Sequence, residues 1–258
     1  MGRVRAFPVP RDSVAIWTLG QNGFFLKSPE GTVVAIDPYL TDHCITLNAL
    51  YGLNFDRILP VFVEPEDLFA DLVLLTHSHL DHTDPETIRR FTRKNEAQFL
   101  APWQAWRQLP ELGVEPRRAG LIHPLETLEF LDLKVTGTFS VPTDSSDLNH
   151  VGFVVEFANR IRFYNSGDTV FHALLGHVAQ REPHIMSICI NGGFNNLSPW
   201  DAARVVQLIK PHVVIPAHFD MMACNQQDPA SFEHSLKAQN VSVKYVRLQY
   251  YEPFVYAL

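Results

Sequence analysis

The apolar run Leu72-Val73-Leu74-Leu75 ends directly in Thr76-His77-Ser78-His79-Leu80-Asp81-His82. An unbroken apolar run fits a strand covered on both faces, and such strands belong to layered folds in which helices flank the sheets. A helix start follows at once: Asp84 can cap it, Pro85 suits its first position and Glu86 favours the positive end of its dipole. Three histidines and a carboxylate are therefore confined to the link between a buried strand and a helix. Side chains two apart on an extended segment point the same way, so His77 and His79 converge on one point. The turn into the helix swings Asp81 and His82 towards a neighbouring point. Imidazole and carboxylate suit Zn, Mn or Fe, and the crowding fits two adjacent ions better than one. With nothing bound, charge-capable groups packed this densely would repel.

The rest of the chain supplies a frame for this junction. Strands are expected at Val14 to Leu19, Phe24 to Lys27 and Thr32 to Ile36, the last two joined by the turn Ser28-Pro29-Glu30-Gly31. Further strands are expected at Leu133 to Phe139, Val151 to Phe157, Arg160 to Tyr164, Ile185 to Ile190 and Val213 to Ile215. Ala158-Asn159 would turn the second of these into the third. Ser198-Pro199 opens a helix whose apolar positions Ala202, Val205, Val206 and Ile209 follow helical spacing. Thr41 to Asp67 is irregular, and a loop of that length is expected to line a pocket. No repeat or linker divides the chain, so one domain over residues 1–258 is expected.

Composition narrows the function. Of the metal-capable residues there are 12 His but only 3 Cys. Cys44, Cys189 and Cys224 lack CxxC spacing, which argues against a disulfide framework and a thiolate zinc site. The formal charge of −7 argues against a nucleic-acid binder working by phosphate neutralisation. Met1 to Asp12 shows no apolar leader core, and no stretch reaches the length of a transmembrane helix. A cytoplasmic protein with no membrane partner is expected.

Thr76-His77-Ser78-His79-Leu80-Asp81-His82 resembles the HxHxDH signature of the metallo-β-lactamase superfamily of hydrolases, and the likeness runs along nearly the whole chain. Asp37, ending the strand Val33-Val34-Ala35-Ile36, resembles the buried aspartate that supports the metal histidines. His150 resembles the third histidine of the first metal site, Asp168 the carboxylate bridging both ions, and His218 the last ligand of the second site. The resemblance implies an α/β fold, an αββα sandwich. It also implies two divalent ions (Zn2+ or Mn2+) held by His77, His79, Asp81, His82, His150, Asp168 and His218, with hydrolysis by a hydroxide shared between them. Asp81 and Asp168 are the implied catalytic residues, and Asp37 would fix a histidine tautomer. The remaining histidines are expected to be structural or solvated, with His172 the one to watch because it lies four residues past Asp168.

Leu19-Gly20-Gln21-Asn22-Gly23-Phe24-Phe25-Leu26-Lys27, Pro216-Ala217-His218-Phe219-Asp220 and Ile190-Asn191-Gly192-Gly193 resemble the ascorbate-6-phosphate lactonase-like branch. This likeness implies a small anionic lactone as substrate, for which Arg57 is a weak phosphate-binding candidate. A phosphodiesterase or nuclease is the alternative, disfavoured by the acidic balance. A di-iron redox protein is disfavoured because His79 stands where that branch places Glu, and a glyoxalase-type thioesterase because Thr83-Asp84 replaces a glycine-bearing continuation. A homo-oligomer is usual for enzymes of this size.

Overall fold

The computed structural model describes residues 1–258. Seven strands form the first sheet: β1 (Ser13–Gly20), β2 (Gly23–Lys27), β3 (Val33–Ile36), β4 (Leu72–Leu74), β5 (Gln98–Ala101), β6 (Ala119–Leu121) and β14 (Phe254–Ala257). Seven form the second: β7 (Thr127–Phe130), β8 (Leu133–Phe139), β9 (Val151–Phe157), β10 (Arg162–Asn165), β11 (Ile185–Cys189), β12 (Val213–Ala217) and β13 (Lys244–Tyr245). The spatial orders are β14-β1-β2-β3-β4-β5-β6 and β13-β12-β11-β10-β9-β8-β7. In each sheet an antiparallel half continues into a parallel one: β3 to β6 run parallel in the first, β10 to β13 in the second.

Alternation along the strands decides what lies between the layers. Val14, Ile16, Phe24, Leu26, Val34 and Ile36 face the second sheet, where they meet Val135, Phe153, Val155, Phe163 and Ile215 in one core. The intervening residues Ala15, Trp17, Phe25, Ala35 and Val73 pack instead with Val4 of α1 (Gly2–Ala6), Ile88 of α3 (Pro85–Arg90) and Ala105 of α4 (Trp103–Trp106). On the far side, Val154, Tyr164, Ile188 and Val214 pack against α5 (Pro199–Ile209) and α6 (Pro229–Ala238). Sheets buried on both faces account for the apolar runs in their sequence. The layering is helix, sheet, sheet, helix, the αββα sandwich that the resemblance implies.

The hairpin between β9 and β10 is longer than the sequence reading allows. Arg160 takes a left-handed φ of 69° and Asn159 Oδ1 accepts from the Ile161 amide, so the turn absorbs residues 158–161 and pairing resumes at Arg162. The long loop after β3 carries a 3-10 turn (His43–Leu47), the short helix α2 (Asn48–Tyr51) and another 3-10 turn (Pro65–Asp67). No helix is long and apolar enough to cross a membrane.

Candidate metal centre

The site forms where chain segments leave the two sheets. β4 delivers His77 to His82, and Asp84 caps α3 by accepting from the Glu86 amide at 3.0 Å. The second sheet delivers His150 just before β9, Asp168 after β10 and His218 after β12. The structure brings all seven expected ligand candidates together in three overlapping groups: His77 with His79 and His150, His77 with His82 and Asp168, and Asp81 with His82 and His218. His77 Nε2 lies 2.9 Å from His79 Nδ1, and His82 Nε2 lies 3.1 Å from His218 Nε2.

The outward nitrogens are tied down, which leaves the inward ones to face the centre of the cluster. His82 Nδ1 donates to Asp37 Oδ2 at 2.6 Å, and His150 Nδ1 donates to the Asp168 carbonyl oxygen at 3.0 Å. Thr76 Oγ1, whose own proton goes to Asp37 Oδ2, accepts from His77 Nδ1 at 3.1 Å. His79 Nε2 meets Ser146 Oγ at 3.0 Å. Such outer partners fix ring tautomers and orientation, as metal-binding histidines require. Inside the cluster, His150 Nε2 and Asp168 Oδ1 are buried without any hydrogen-bond partner. Buried polar atoms are almost always paired. Two orphaned acceptors facing a set of N and O donors therefore fit a divalent cation.

Charge at the site follows from its surroundings. Burial, with the neighbouring imidazoles of His82, His150 and His79, holds His77 well below the ordinary imidazole range, so it is neutral. Burial acts in the same direction on His82, but the carboxylates of Asp81, Asp168 and Asp37 outweigh it and raise that group well above the usual range. His218 is likewise raised against burial by Asp168 and Asp81. Despite their burial, Asp81 and Asp168 are held below the usual carboxylate range by the His82 and His218 imidazoles. The positive charge that these two carboxylates need in a dry site comes from protonated His82 and His218, and a divalent cation binding there would take the place of those protons.

Several participants were not singled out from the sequence. Gln21 Nε2 donates to Asp81 Oδ2 at 2.6 Å, while the Gln21 carbonyl oxygen accepts from the His218 amide at 2.7 Å. Asn196 Nδ2 donates to Asp168 Oδ2 at 2.6 Å. Asp147 Oδ2 accepts from the Ser78 amide at 2.8 Å, holding the histidine-bearing turn against the loop before β9. Asn22 and Asn165 exchange reciprocal amide bonds of 3.0 Å between the sheets. The signal for the first of these was a polar Gln-Asn pair in a tight turn between apolar strands. Gln21, Asp37 and His218 all have positive φ, of 53°, 40° and 58°. Each non-glycine residue in that region costs about 1–3 kcal/mol, a strain that tends to gather at functional sites.

Two sequence candidates lie elsewhere in the scheme. The Arg57 guanidinium donates to the carbonyl oxygens of Tyr39, Thr41, Leu59 and Pro60, so it braces its loop and has little left for a phosphate. His172 Nδ1 accepts from the Leu174 amide and starts a 3-10 turn.

A profile described as beta-lactamase superfamily domain matches residues 15–218, a span that contains every residue of the cluster. The chain belongs to that superfamily. It is 27% identical over 244 residues to a UPF0173 metal-dependent hydrolase of Polynucleobacter asymbioticus, covering 88% of the chain and 81% of the relative. It is 28% identical over 241 residues to the UPF0173 metal-dependent hydrolase of Archaeoglobus fulgidus, covering 90% and 94%. Its fold is shared with Igni18, a metallo hydrolase from Ignicoccus hospitalis, at a TM-score of 0.73 and 19% identity over 95% of this chain and 99% of that one. It is a metal-dependent hydrolase of the metallo-β-lactamase fold.

Proposed function

We propose that this hydrolase holds two divalent cations and cleaves the acyl bond of a small lactone or ester. One ion would sit among His77, His79 and His150, the other among Asp81, His82 and His218, with Asp168 between them. Zinc or manganese bound there supplies Lewis acidity and a water acidic enough to ionise near neutral pH. The observation that carries the reading is a cavity of about 270 Å³ into which His79, Asp81, Asp168 and His218 all open. That volume suits a small molecule.

The side chains divide the remaining work. Asp81, with Oδ2 held by Gln21, is placed to accept the proton of the attacking water and return it to the leaving oxygen. Asn196 orients Asp168 from behind, and Asp37 and Thr76 hold His82 and His77. Burial pushes the thiol of Cys44, which also lines the cavity, above its usual range, so it is a poor nucleophile. The test is a panel of lactones, phosphodiesters and thioesters with added Zn2+ or Mn2+, alongside metal analysis of the protein. His79→Ala and Asp168→Ala are each expected to lose metal content and turnover together. Full turnover in a metal-free preparation would overturn the reading, and preference for a phosphodiester would move the substrate to that class.

A further inference from the structure

The outer wall of the cavity differs sharply from its floor. Leu47, Tyr51, Phe55, Phe194 and Met222 line it, and no Lys or Arg does. The charged groups that do open into it are histidines and acids, with Asp144 at the rim 3.5 Å from His79 Nε2. Three rings form a continuous surface: Tyr51 and Phe55 centroids are 5.9 Å apart, and Phe55 and Phe194 are 5.8 Å apart. Phe55 is buried, yet Tyr51 is 60% and Phe194 45% exposed, so two large rings are left open at the mouth of the site.

The backbone under Phe194 is held there at a cost. Phe194 and Asn195 take consecutive left-handed φ values of 52° and 62°, unusual for any residue and more so for a bulky one. Asn195 Nδ2 fastens the turn to the Thr143 carbonyl oxygen at 2.8 Å, and Asn196 Nδ2 fastens it to Asp168 Oδ2 at 2.6 Å. The presentation of one aromatic ring is thus coupled to a carboxylate at the centre of the cluster.

Resting on the hydrolase reading above, we infer that the substrate carries an uncharged apolar group, a phenyl ring or a branched alkyl chain, seated between Tyr51, Phe55 and Phe194. Phe194 is then a specificity-determining residue. The groups able to hold a cation lie at the floor, where the scissile group must lie, and an anionic substituent would either compete for that floor or face Asp144 with no Lys or Arg in the wall. The anionic substrate implied by the lactonase likeness gives way to a neutral one.

The experiment uses the full chain reconstituted with Zn2+ or Mn2+. Hydrolysis is compared for γ-lactones bearing a methyl, a phenyl or a phosphate-bearing substituent, and binding is compared for benzyl alcohol and ethanol, which have no bond to cleave. The phenyl lactone should exceed the methyl one in kcat/KM by roughly 10-fold or more. Phe194→Ala should remove most of that ratio, Phe194→Leu should keep part of it, and benzyl alcohol should bind better than ethanol. Where Phe194→Ala does not fold, Tyr51→Ala on the exposed end of α2 makes the same comparison. Preference for the phosphate-bearing lactone, or ethanol binding as well as benzyl alcohol, with metal-dependent turnover intact, would overturn the apolar seat and leave the hydrolase reading standing. Benzyl alcohol binding that depends on Phe194, without hydrolysis of any lactone, would support the seat and overturn the acyl substrate.

Discussion

Asp37 accepts four hydrogen bonds from a fully buried position: from the Thr76 amide, Thr76 Oγ1, Asn22 Nδ2 and His82 Nδ1. Two of those donors belong to the strand end that carries the histidines, so one carboxylate sets both the path of the chain and the tautomer of His82. Asp37→Asn keeps the shape but brings an amide NH2 among donors. Metal affinity should fall about 10–100-fold, the usual effect of losing an outer partner, as read by competition with a chelator. Unchanged affinity would show that His82 needs no carboxylate behind it. At this scale the ligand candidates were legible because they crowd one turn or end recognisable strands. Gln21 and Asn196 were not, since their partners Asp81 and Asp168 lie 60 and 28 residues away and nothing local in the sequence links them.

The link from β4 to α3 is the element on which the site depends. Asp84 caps α3 and also accepts from Thr41 Oγ1 at 2.7 Å and Thr87 Oγ1 at 2.5 Å, which ties the long loop to the helix start. Asp84→Ala removes the cap and strands two buried hydroxyls, so it should cost about 2 kcal/mol or more in urea unfolding. Ser198→Ala, at the α5 cap, should cost about 1 kcal/mol and leave metal content unchanged. Equal effects of the two on metal content would contradict a special role for the first junction. Central strands such as β4, β9 and β11 were legible because both faces are apolar. β6, only Ala119-Gly120-Leu121, and β7, alternating exposed and half-buried, carry too little apolar pattern to stand out. Their places are set by pairing with β5 and β8.

At the scale of the whole molecule, the two sheets meet through one core in which Phe24 and Phe163 pack at 5.8 Å. Phe163→Ala should lower stability by about 3–5 kcal/mol, measured by denaturant unfolding. Removal of metal with a chelator should lower Tm as well, because a ligand that binds only the folded chain adds about 2.7 kcal/mol when present at 100 times its Kd. A Tm indifferent to chelation would argue against tight binding at the cluster. The layered architecture could be expected from the motif and its strands, whereas the chemistry of the cavity wall could not. The loop from Thr41 to Asp67 was expected to line a pocket and does so through Cys44, Leu47, Tyr51 and Phe55, but Phe194 after β11 and Met222 after β12 are unremarkable in their own stretches of sequence.

The distribution of the cluster along the chain also sets an order of events during synthesis. His77, His79, Asp81 and His82 emerge early, His150 and Asp168 follow, and His218 arrives only after β12. A ribosome-bound chain stopped before residue 218 would already hold the first trio of histidines, yet the group of Asp81, His82 and His218 would be incomplete. A cation held by the group of Asp81, His82 and His218 would thereby gain its last ligand only after β12 has been made.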